Sequence, residues 1–130
     1  MKINKLIQKP IEKIARQKVS FGFSEIRDVS FIKAHHDSKF FIDYIHHLKS
    51  FCNMTWDEIR TTQRHGFGSE TIGVNNLTRN ALRHVPFGLR KLIVLRATGN
   101  NHVFLGYRDG DMFQVLFIEY RFGDIYKHGV

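Results

Sequence analysis

Two kinds of side chain suited to work on a phosphate gather late in this sequence. Arg96, Arg108 and Arg121 supply planar guanidinium forks that stay charged and hold a phosphate through paired hydrogen bonds. His102 and His128 supply imidazoles, whose unperturbed pKa of ~6.5 suits them to give or take a proton near neutrality. Tyr126 adds a ring for stacking and a hydroxyl for proton transfer. Other groups offer less. His35-His36 and His46-His47 are adjacent pairs, and neighbours in a helix point about 100° apart, whereas chelating pairs sit three or four residues apart. No metal site and no cofactor is expected. The single cysteine, Cys52, closes no internal disulfide and reads as buried packing at the end of a helix. Gly66-Phe-Gly68 has too little around it for a phosphate loop.

The elements that must position these groups follow from periodicity and punctuation. Ile3, Ile7, Ile11 and Ile14 mark one helix face in the basic segment 1–19, and Pro10 is suited to start a helix over Pro10–Gln17. Ser20–Ile32 reads as a strand, with Gly22 at a bulge or bend. Asp37 or Ser38 caps a helix carrying the stripe Phe40, Phe41, Tyr44, Ile45, Leu48 and Phe51. Thr55-Trp-Asp-Glu58 is a capping box that starts a second helix at Trp56, running to about Arg64. Gly66–Arg90 is expected to be loop apart from a short helix near Leu77–His84, and a connection of that length is usually functional or mobile. Three strands close the chain: Leu92–Ala97, His102–Arg108 and Met112–Tyr120. The Asp109-Gly110 pair forms the second turn of this meander. The near-continuous apolar character of Met112–Tyr120 implies burial on both faces or a central place in the sheet. The expected fold is α+β: strand, two helices, three-stranded antiparallel meander, with a basic N-terminal helical extension.

Length and composition set outer limits. With 130 residues, 42% hydrophobic and 12 Phe, the chain makes one domain, an extension over 1–19 and a core over 20–128. Disorder and low complexity are excluded by that composition, and no apolar run approaches the ~20 residues of a membrane span. A cytoplasmic protein without membrane contact is expected. Lys and Arg number 20 against 12 acids, for a net charge of +8 and a pI near 9.9. That balance favours an anionic partner, be it nucleic acid, a ribosome, an acidic protein or a membrane surface. Lys9, Lys13, Arg16, Arg60, Arg64 and Arg108 are the candidate cations for contact with a nucleic acid such as RNA.

Over Ser20–His128 the order of elements resembles the RelE/ParE toxin superfamily of bacterial toxin–antitoxin modules. Val94-Leu-Arg96, the turn Gly99-Asn-Asn-His102, Val103–Tyr107, Val115–Glu119 and Arg121…Ile125-Tyr-Lys-His128 look like that family's closing pattern. Asn101-His102 stands where many members carry Arg after the Asp-Tyr of the meander turn. The resemblance implies an endoribonuclease that cleaves mRNA, usually on the ribosome, and is neutralised by an acidic antitoxin. Some relatives act on gyrase instead, and a non-catalytic nucleic-acid- or protein-binding module is the alternative from a different class.

Metal-independent RNA cleavage needs a base for the 2′-hydroxyl, positive charge for the phosphorane and an acid for the departing 5′-oxygen. In an antiparallel meander Arg96 and His102 share one end of the sheet, whereas Arg108 lies by the opposite turn. The third strand returns towards the Arg96 end, carrying Arg121, Tyr126 and His128 with it. Arg96, His102, Arg121, Tyr126 and His128 are therefore the expected catalytic set. Arg108, beside Asp109 and Asp111, reads more simply as a surface ion pair.

Overall fold

The computed structural model describes residues 17–31, 33–62, 68–99 and 101–128. Strands β1 (Ser20–Gly22), β2 (Ser69–Gly73), β3 (Lys91–Arg96), β4 (Val103–Asp109) and β5 (Met112–Glu119) form one mixed sheet in the order β1-β5-β4-β3-β2. Helices α1 (Ser38–Phe51), α2 (Trp56–Thr61) and α3 (Arg79–Leu82) complete an α+β fold. β1 runs parallel to β5, and every other pairing is antiparallel. The sheet thus has five strands, one more than the expected strand and three-stranded meander supply. The extension helix over Pro10–Gln17 lies, except for Gln17, outside the described residues.

The added strand, β2, falls in the stretch expected to be loop. It is short and at an edge, with Ile72 its only buried residue, so no apolar alternation marks it, and the β-branched pair Thr71-Ile72 is too short a signal. The strand expected over Ser20–Ile32 stops at Gly22 and gives way to a 3₁₀ turn at Asp28–Phe31. The reason is a bulge in β5. Leu105 pairs with Phe117 while Gly106 pairs with Val115, leaving Leu116 as the extra residue. Its carbonyl takes the Arg27 amide at 2.9 Å, and the Ile118 amide donates to the Ser30 hydroxyl at 2.9 Å. Residues 27–30 therefore close an irregular strand edge that a straight β1 could not pair. Gly106 is required here, because an added Cβ would stand 1.9 Å from the Gln114 carbonyl oxygen.

Two apolar layers sandwich the sheet. Phe40, Tyr44, Leu48 and Phe51 of α1, with Trp56 and Ile59 of α2, cover Leu95, Phe104, Phe113 and Val115. On the other face Leu77, Ala81, Ile125 and Tyr126 cover Leu92, Val94, Val103, Leu105 and Phe117. The chain from Val74 to Leu82 and the C-terminal tail are stitched together by Thr78 N to Ile125 O at 2.8 Å and Lys127 N to Asn76 O at 2.8 Å. β5 is consequently buried on both faces from Phe113 to Glu119. The α1 stripe is narrower than its composition suggests, with Ile45 60% exposed and Ile42 56%. α2 ends at Thr61, where Thr62 turns extended, short of Arg64. The second hairpin turn is Gly110-Asp111, since Asp109 pairs with Met112; Gly110 alone takes positive φ, at 64°. Cys52 is exposed at the end of α1, contrary to the expected burial.

Candidate functional site

Arg96 ends β3, and the alternation of a strand puts it with Leu92 and Val94 on the tail-covered face. In register beside it stand Val103 on β4 and Glu119 on β5. Arg96 and Tyr126 line one narrow crevice with Glu70, Val94 and Val103. Glu119 is fully buried, and the turn after β5 explains why it tolerates burial. Asp124 N donates to Arg121 O, and Gly123 takes φ of 88°, which swings the tail back over the sheet. Glu119 Oε2 then accepts the Ile125 and Tyr126 amides at 2.8 and 3.1 Å. With that oxygen occupied by two donors, Oε1 accepts from His128 Nε2. A ring that donates from Nε2 has, in the neutral tautomer, its lone pair on Nδ1. Phe122 and Tyr126 flank the imidazole with centroids at 3.9 and 3.8 Å. Arg96, Tyr126 and His128 are thus gathered at one rim of the sheet.

His102 is not part of that group. It follows the β3–β4 turn and packs on the helical side, 4.7 Å from the Phe40 ring and stacked 5.6 Å from Tyr120. Its Nδ1 lies 2.9 Å from the Thr98 hydroxyl. The Tyr120 hydroxyl donates to Asp37 Oδ2 at 2.5 Å, while Asp37 Oδ1 accepts the Phe40 amide as N-cap of α1. Partial burial pushes the His102 pKa below its ordinary value, against the pull of Asp37 and Asp43. The hydrogen bond from Tyr120 is the main reason Asp37 titrates below the usual carboxylate range, and the same bond raises Tyr120. The depression beside His102, about 190 Å³, carries Asp37 and Asp43 against the lone ammonium of Lys39. Two carboxylates facing one cation do not favour a phosphate.

The remaining cations are dispersed. Arg121 is exposed in the turn after β5. Arg108 lies over the Trp56 ring at 4.9 Å, donates to Gly110 O at 2.7 Å and stands 3.7 Å from Asp111, so its surface-pair reading fits. Arg60 is paired with Asp57 on α2. Lys9, Lys13, Arg16 and Arg64 lie outside the described residues. His35 and His36 occupy the turn before α1 rather than a helix, with rings 3.8 Å apart. Among the described residues no three His, Cys, Asp or Glu side chains form a metal-sized cluster, and no helix is long and apolar enough to cross a membrane.

Glu119 is a candidate site residue that was not expected from the sequence. An acid closing a strand that is apolar but for Gln114, nine residues before a histidine, was the available signal. Its partner could not be named without the tail's reversal. No family model, no curated protein and no solved structure matches this chain, so the site's own chemistry carries its functional reading.

Proposed function

We propose that this chain is a RelE/ParE-like toxin that binds mRNA and cleaves it at the Arg96–His128 rim without a metal. The observation that carries this reading is the buried Glu119 carboxylate, which holds the His128 ring by Nε2 in the neighbourhood of Arg96 and Tyr126. A carboxylate behind an imidazole sets its tautomer and aim, as in other acid–base sites. In this reading His128 Nδ1 takes the proton of a ribose 2′-hydroxyl. The freed oxygen attacks the adjacent phosphorus as the bond to the 5′-oxygen breaks, Arg96 holds the phosphoryl oxygens, and the departing 5′-oxygen takes its proton from water. The products are a 2′,3′-cyclic phosphate and a 5′-hydroxyl. Net charge supplies sequence-independent affinity, and an acidic antitoxin would neutralise it.

A second reading, a non-catalytic basic binding module, is favoured by the low exposure of His128, whose side chain is only 12% accessible between two rings. One experiment separates the two. Purified protein is incubated with ribosomes and message in EDTA, alongside Arg96→Ala and His128→Ala. Cleavage that survives chelation and falls at least ~100-fold in both variants supports the nuclease. Intact message that is nonetheless bound supports the module, and altered plasmid supercoiling with intact message points to gyrase.

A further inference from the structure

From Thr71 to Arg108 the sequence has no aspartate or glutamate, yet it carries Arg79, Arg83, Arg90 and Lys91 between Leu77 and Leu92. All four cations are exposed, and none pairs with a described carboxylate. Among the described residues Arg83 donates to the neutral Asn80 side chain, at 3.1 Å. At the head of this segment stands Phe87, fully exposed at 107%. Its turn is well defined. Leu89 N donates to Pro86 O at 3.2 Å, and Gly88 takes φ of 86°, the pattern of a type II turn with Phe87 at the second position. Val85 and Leu89 on either side pack into the core, and Arg90 O accepts the Val74 amide at 2.9 Å. The loop is therefore tethered at both ends while its aromatic ring faces water.

A single exposed ring is ordinary on a protein surface, but this one is fully exposed on a tethered turn within a segment that has four exposed cations and no acid. Leu82, 44% exposed, is the other large apolar side chain exposed in this segment, which is little area for insertion into a bilayer. An exposed aromatic ring in a segment whose cations meet no described carboxylate matches the platform on which a single strand of nucleic acid stacks a base while its phosphates meet guanidinium groups. We infer that the Pro86–Leu89 turn is a stacking finger, with Phe87 receiving an unpaired base and Arg83 and Arg90 the flanking phosphates. The partner is single-stranded RNA, so the inference deepens the proposed function and rests on its RNA-binding half. Lys91 and Arg96 lie at opposite ends of β3, roughly 17 Å apart. The finger would thus grip the strand away from the cleavage rim and affect KM rather than kcat.

The test uses the full chain and a fluorescein-labelled single-stranded 12-mer RNA, with binding followed by anisotropy. Phe87→Ala should weaken binding about 10-fold or more with an unchanged melting temperature, because the ring supports nothing in the fold. Phe87→Trp should restore affinity and show indole quenching on RNA addition, a signal that the buried Trp56 does not give. Arg83→Gln and Arg90→Gln should each flatten the salt slope by about 0.7. Unchanged affinity in Phe87→Ala, while the parent binds RNA, overturns the finger and leaves the functional reading standing. Failure of the parent to bind RNA overturns both. Phosphatidylserine vesicles form the control arm: loss of vesicle binding in Phe87→Ala without loss of RNA binding assigns the turn to a membrane surface and rejects the inference.

Discussion

Glu119 and His128 are joined across a chain reversal, the carboxylate buried at the end of β5 and the imidazole arriving from the tail. One carboxylate thereby satisfies two backbone amides and one ring N–H, tying the tail over Ile125–His128 to the central sheet. This knot holds the Arg96 rim together, and its removal is the most direct probe of the site.

Glu119→Ala should destabilise the chain by about 3 kcal/mol or more, since it strands buried donors. Glu119→Gln keeps one acceptor and should fall between. Urea denaturation measures both, and limited proteolysis should show early cleavage within 121–128 in the Ala variant. A loss under 1 kcal/mol for Glu119→Ala would contradict the knot.

The bulge makes a sharper demand at Gly106. A Cβ there collides with the Gln114 carbonyl at 1.9 Å and the Phe113 ring at 2.7 Å, so Gly106→Ala should abolish folding or cost over ~3 kcal/mol. Gly99→Ala meets nothing within 4 Å and should change stability by less than about 0.5 kcal/mol. Thermal melts of the pair decide the matter.

Stability should fall on mild acidification. Burial lowers the pKa of His47, despite its hydrogen bond to the Arg96 carbonyl, and that of His102. Below the ordinary value of 6.5 the unfolded chain takes up protons at these positions before the fold does. Their contribution is therefore complete above pH 6.5 and declines as the pH drops towards the folded values. Melting temperature should decrease between pH 7.5 and 5.5, and the double variant His47→Gln/His102→Gln should show a shallower decrease. Equal slopes in parent and variant would refute the assignment.

The two terminal-region histidines should behave as independent groups. His128 sits on the tail-covered side and His102 on the helical side, with no shared partner among the described residues. In the ribosome assay His128→Ala should remove cleavage, while His102→Ala should reduce it by less than about 5-fold. A larger loss in His102→Ala would move the chemistry to the other face.

Local signals marked the helices well. The Thr55–Glu58 capping box and the Asp37 cap are both formed, because such contacts span only three residues. The apolar run of β5 announced burial on both faces for a similar reason: side chains of one strand report directly on the two layers around them. Arg96, Tyr126 and His128 were legible as neighbours because hairpin geometry fixes which strand ends meet. Long-range geometry decided the rest. β2 owes its strand to pairing with β3, Ser20–Ile32 loses most of its strand to a bulge in β5, and Glu119 finds His128 only through the reversal at Gly123. His102 left the expected site because residues just beyond a strand end are free of its alternation, and the rings of Phe40 and Tyr120 claimed its side chain. Composition and spacing determine which groups are present and at which end of the sheet. The face each one occupies depends on partners far away in the chain, and those exist only once the layers have closed.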